Sequence, residues 1–195
     1  PVSSRAGILM NIACDSTAFG GHDAGTVRIA GVWDEEKEGF NYVCRNTIGG
    51  VQTFGATGNF YPRTKELEGK LSLSGFDAGY AEPFLSSVFS SVSGSISGDI
   101  AFIGPVKELS LASKGLRLDR TRLKVGFTNV EYTADGPVSL DSTEARFENV
   151  DVTDRFGEKG VISGNIGWNH LKDIHFGTDI RFTRMEVLNL GETDN

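Results

Sequence analysis

Apolar and polar residues take turns along nearly the whole of this chain. Leu71-Ser72-Leu73, Leu116-Arg117-Leu118, Leu123-Lys124-Val125-Gly126-Phe127, Ala145-Arg146-Phe147 and Ile180-Arg181-Phe182 each repeat every second residue. A period of two marks a β-strand with one greasy face and one wet face. Roughly a dozen such runs fit into the sequence, against about 4 to 6 strands in an ordinary sheet, and side by side at ~4.8 Å they would span ~60 Å. An apolar face of that extent has three outlets: a second sheet packed on it, closure into a barrel, or curling into a trough whose interior takes another apolar molecule. The expected fold is all-β, an elongated curled sheet, half-pipe or taco-like, with a hydrophobic interior and no linker dividing residues 1–195.

The 25 glycines and only 5 prolines suit many strands joined by tight turns. A repeat underlies the alternation. Residues 94–111, GSISGDIAFIGPVKELSL, match residues 160–176, GVISGNIGWNHLKDIHF: a strand carrying Ser-Gly, a polar turn, then Lys-acid-aliphatic opening the next strand. Weaker copies run over 56–73 and from residue 24, so the chain is read as a series of strand hairpins of similar design. DEEKEG at 34–39 reads as a solvated hairpin loop, and DVTDRFGEKG at 151–160 as a hairpin turn. One segment departs from strand spacing. Phe84, Leu85, Val88 and Phe89 follow Pro83 at helical intervals, which predicts a short amphipathic helix over 80–91 whose apolar face plugs the greasy side of the sheet.

Chemistry is hard to find in these residues. A net charge of -7 without any Lys/Arg cluster argues against nucleic acid as a partner. Cys14 and Cys44 are too far apart for a CxxC pair and are read as small buried apolar residues, with a disulfide in an oxidising compartment as the minority alternative. His22, His170 and His175 suit surface or turn positions, and the spacing of the last two fits neither a helical nor a strand metal pair. The acids, among them Asp99, Asp119, Glu131, Asp151, Asp154 and Asp173, fall mostly in the polar phase of strands or in turns and are read as a solvated face. No GxSxG elbow, SxxK, GxGxxG or Walker loop is present. The expectation is no catalytic residue, no metal and no cofactor. No window approaches the ~18 to 20 apolar residues of a membrane helix; RAGILMNIACD near the start is read as a strand, and a chain beginning at Pro1 as a piece of a longer protein.

Residues 54–190 carry a family likeness. The helix AEPFLSSVFSS, the following Ser-Gly strand, LDRTRLKVGFTNVEYTADG, and ENVDVTDRFGEKGVISGNIGWNHLKD, in this order and spacing, resemble the C-terminal periplasmic region of the TamB branch of the AsmA-like family. The resemblance implies a periplasmic segment of a protein anchored in the inner membrane of a Gram-negative cell. It further implies an outer-membrane partner of the BamA or TamA type and a part in phospholipid transport between the membranes or in outer-membrane protein assembly.

Lipid traffic suits the residues. Moving a two-tailed lipid of ~30 CH₂ groups through water costs ~24 kcal/mol at ~0.8 kcal/mol each, which a continuous greasy groove largely removes without any catalytic group. The candidate groove liners, in contact with acyl chains, are Val27, Ile29, Leu71, Leu73, Ile100, Phe102, Leu109, Leu111, Leu116, Leu118, Val125, Phe127, Phe147, Ile166, Trp168, Phe176, Ile180 and Phe182. The same alternation would also suit a dry core. Two further readings stand beside the conduit: an assembly factor pairing its sheet edges with client strands, and a sandwich spacer with a filled core. Self-association of an isolated piece would follow from uncovered apolar surface.

Overall fold

The computed structural model describes residues 8–19, 21–169 and 172–189. It is one antiparallel sheet of eleven strands in sequence order. The strands are β1 (Leu9–Phe19), β2 (His22–Asp34), β3 (Gly39–Thr47), β4 (Phe54–Tyr61), β5 (Glu66–Asp77), β6 (Phe89–Pro105), β7 (Ser110–Val125), β8 (Val130–Leu140), β9 (Glu144–Asp154), β10 (Lys159–Asn169) and β11 (Lys172–Phe182). The fold is all-β, and the sheet is open rather than closed into a barrel. Beyond isolated pairs, each strand touches only its sequence neighbours, so no second layer packs on the sheet among the described residues.

The two hairpin turns read from the sequence are present, at residues 35–38 and 155–158. The helix is shorter than its spacing predicts. A 3-10 turn, Ala78–Ala81, leads into α1, Glu82–Leu85, and Phe89 already belongs to β6, paired with Val125. Ser86, Ser87 and the β-branched Val88 are weak helix formers, and the Glu82 carboxylate accepts the Val92 N–H at 3.0 Å, which ties the chain back into the sheet. Val88 is buried, while the side chain of Phe84 lies outside the described residues.

Strands β2 to β5 are regular: no register shift interrupts β2–β3, β3–β4 or β4–β5, whereas β1–β2 shifts around Thr17. The second half is bulged, and one arrangement occurs three times. Ser74 and Gly75 of β5 oppose the single residue Ser97; Asp119 and Arg120 of β7 oppose Asp135; Glu148 and Asn149 of β9 oppose Ser163. Each second bulge residue has positive φ, +58°, +45° and +52° in turn. A bulge frees a backbone N–H from the ladder, and that donor must find a partner. Here the Gly75, Arg120 and Asn149 N–H groups donate to Ser97 Oγ, Asp135 Oδ1 and Ser163 Oγ, all at 2.9 Å. The next residue is glycine each time. A Cβ on Gly98, Gly136 or Gly164 would stand 2.9 Å from the Cα of Leu116, Val150 or Thr178 on the following strand.

The Ser-Gly pairs of the sequence repeat are therefore bulge receptors. Asp135-Gly136 is a third copy, with a carboxylate in place of the hydroxyl. Because bulges bend the strand that carries them, three in neighbouring hairpins crease the sheet across its strands. One cluster of buried side chains lies beside these bulges: Ala134, Val150 and Val152, with Leu118, Leu123, Phe147 and Ile162 packed around them.

Candidate apolar trough

Directly paired residues of an antiparallel sheet point to the same face. Following the pairs across the first six strands gives the row Ile12, Ile29, Cys44, Ala56, Leu71, Ile100. One residue away along each strand, the opposite face gives Ala13, Arg28, Arg45, Gly55, Ser72, Asp99. The apolar row covers six strands, ~24 Å at ~4.8 Å spacing. In the second half the rows Val138–Phe147–Gly164 and Leu140–Ala145–Ile166–Phe176 continue the same face. At each bulge the alternation slips by one residue, from Leu116 and Leu118 to Leu123 and Val125. The slip keeps the apolar side chains on one side.

Most of the predicted liners sit on this face. By register, Val27, Ile29, Leu71, Leu73, Ile100, Phe102, Leu111, Leu116, Leu118, Val125, Phe147, Ile166, Phe176, Ile180 and Phe182 all share it, although the side chain of Phe176 lies outside the described residues. Trp168, next in phase after Ile166, donates its indole N–H to Ser142 O at 3.1 Å. Leu109 is half-buried in the turn before β7 rather than in a strand. Phe127 is a correction. Strand β7 ends at Val125, the Asn129 N–H returns to Val125 O at 2.9 Å, and Phe127 stands at the turn tip with 73 % of its surface exposed. Alternation alone missed Ile12, Phe40, Ala56, Phe60, Tyr132, Val138 and Ile162, which the phase of their strands would have located.

Other expectations need adjusting. Neither cysteine is buried: Cys14 is exposed and Cys44 half-buried. Both face the trough with β2 between them, about two strand spacings apart and beyond disulfide reach. His22 opens β2 directly after the turn residue Gly21. It is half-buried, with Nδ1 2.9 Å from Asp77 Oδ2 and its ring 5.3 Å from that of Tyr80. Tyr80 also stacks on Phe76 at 4.7 Å and its hydroxyl donates to His22 O at 3.3 Å, so the segment after β5 is tied to the start of β2. His175 is exposed, while His170 and the side chain of Asp173 lie outside the described residues. Asp99, Asp119, Glu131 and Asp151 are exposed as expected, and Asp99 pairs with Lys70 at 2.8 Å.

Asp154 is the exception among the acids. It is only 6 % exposed and lies on the apolar face, where Oδ1 accepts the Phe156 and Glu158 N–H groups and Oδ2 accepts the Glu186 N–H at 2.8 Å. These donors, Glu186 foremost, hold its pKa below the ordinary carboxylate value. A depressed folded pKa contributes stability above the unfolded value of about 3.9, lost as pH falls through the folded one. The urea midpoint of the wild type is therefore expected to fall more steeply below about pH 4 than that of Asp154→Asn. Parallel curves would remove Asp154 from the pH response.

Among the described residues, no group of three or more His, Cys, Asp or Glu is placed to hold a metal ion. No helix there is long and apolar enough to cross a membrane. Comparison with family models, curated proteins and solved structures returns no match for this chain.

Proposed function

We propose that this chain is a periplasmic segment of an AsmA/TamB-like protein and shelters phospholipid acyl chains on its way between inner and outer membranes. The observation that carries the reading is the apolar row from Ile12 to Ile100, uninterrupted over six strands and, among the described residues, without a covering layer. At ~24 Å it exceeds the ~15 Å that one leaflet contributes to a bilayer's hydrocarbon core. A tail lying along it exchanges water for side chains and needs no polar ligand, which predicts weak headgroup selectivity.

A second reading rests on the edge of the sheet. Strand β1, LMNIACDSTAF, bears one charged residue, Asp15, and has no partner on its outer side among the described residues. Such an edge suits pairing with a strand of an outer-membrane client or of a BamA-like partner.

The deciding experiment places a photo-crosslinking residue at Ile29 or Leu71, and in parallel at Arg28 or Ser72, in the full-length protein in cells. Phospholipid adducts are expected at the first pair and absent at the second. Protein adducts along β1 without lipid at Ile29 or Leu71 would favour strand pairing instead.

A further inference from the structure

After β11 the chain turns back across the apolar face. Met185 packs against the Ala134–Val150–Val152 cluster, and a Cβ on Gly160 would come within 2.8 Å of its sulfur. Glu186 follows over β9 and β8: its N–H donates to Asp154 Oδ2 at 2.8 Å, and its carbonyl accepts the Tyr132 hydroxyl at 2.7 Å. Asn189 reaches the β7–β8 turn, where its N–H donates to Thr128 O at 2.9 Å. Residues 183–189 thus form a strap laid across the trough at β8, β9 and β10.

Besides these bonds the strap is held by the Arg155–Glu186 ion pair at 2.6 Å, by Arg184 Nε facing Glu158 Oε1 at 3.4 Å and by the Asn189 side-chain amide donating to Asn129 O at 3.4 Å, yet it fits imperfectly. Two of the buried polar atoms without a hydrogen-bond partner, Glu186 Oε2 and Thr128 Oγ1, lie at its contacts. Each charges a desolvation penalty against the closed state, which lowers the free energy of opening. Val187 and Leu188 remain 53 % and 54 % exposed, so closing buries little of them.

We infer that residues 183–189 are a displaceable cover that competes with an acyl chain for the apolar surface of β8–β10 and leaves the β1–β5 surface free. The inference rests on the acyl-sheltering function proposed above and adds a gate to it. A chain advancing along the face from β1 meets Met185, and entry to the creased half requires the strap to lift. Ligand binding there is weakened by the fraction of molecules with the strap closed.

The test uses a diazirine-bearing fatty acid, with adducts mapped by mass spectrometry. In the wild type, label is expected on the apolar-face peptides of β2–β5 and little on β8–β10. Tyr132→Phe combined with Asp154→Asn removes one donor and one acceptor from the strap, and should raise β8–β10 labelling at least about fivefold, the weight of one to two net hydrogen bonds. Conversely, Thr128→Cys with Asn189→Cys, in a Cys14→Ser, Cys44→Ser background, is expected to remove the residual β8–β10 labelling when oxidised and return it to at least the wild-type level on reduction. Labelling of β2–β5 with β8–β10 equal in all forms would overturn the gate and leave the function standing. Absence of label on β2–β5 in every form would overturn both. If the loosened variant fails to fold, the oxidised and reduced forms of the cysteine variant decide alone.

Discussion

Gly69→Val is expected to cost about 3 kcal/mol and lower the melting temperature by roughly 6 to 12 °C, because there is no volume for a side chain where β4 and β5 meet. Gly58 and Gly69 face each other across the apolar face. A Cβ on Gly69 would collide with Thr57 O and stand 2.9 Å from both Gly58 Cα and the ring of Phe102, which covers the glycine pair from the neighbouring strand. Valine would push the ring aside and spread the two strands, and the change falls on a regular stretch with no bulge to absorb it. Gly115→Ala is the matched control, since its Cβ would meet nothing within 4 Å. Equal melting temperatures for the two variants would show that the pair is not close-packed in solution. Phe102 is also a trough residue, so the valine variant should weaken acyl labelling of neighbouring Leu71.

Asn46→Leu is expected to cost about 4 kcal/mol, the sum of several buried polar groups each losing a partner at ~1 to 3 kcal/mol. Asn46 has no exposed surface. Its Oδ1 accepts the Thr53 and Phe54 N–H groups at 3.0 and 2.7 Å, and its amide donates to Ala24 O at 3.3 Å and Thr53 Oγ1 at 2.7 Å. One side chain therefore organises the β3–β4 loop and pins it to β2. Leucine has nearly the same shape and none of the bonds, so the loss reads the hydrogen bonds rather than a cavity. Chemical denaturation measures it directly, and a change below about 1 kcal/mol would mean that water replaces all four bonds.

Much of the trough can be read without coordinates. The phase of Val27 and Ile29, or of Leu71 and Leu73, follows from alternation, and so does the number of faces. Phe127 went astray because Gly126 continues the pattern on paper while the backbone is already turning toward Asn129. The helix over 80–91 failed for a related reason: the spacing of Phe84 to Phe89 is compatible with a helix, but the serines between them carry little helical preference and the Glu82–Val92 bond favours the sheet. The phase slips at Leu118–Leu123 and Phe147–Val150 are present in the sequence and mark the bulges, as does the Asp135-Gly136 copy of the Ser-Gly motif.

What the sequence by itself determined is the all-β class, the two-faced strands and the hairpin repeat, because side-chain alternation is a local consequence of strand geometry. The tertiary structure alone decided that, among the described residues, no second sheet covers the apolar face and that residues 183–189 cross it. The crossing depends on partners far apart in the chain, Tyr132 and Asp154 with Glu186, whose meeting leaves no periodic trace. Local pattern sets which way a side chain points; only the folded sheet sets what lies above it.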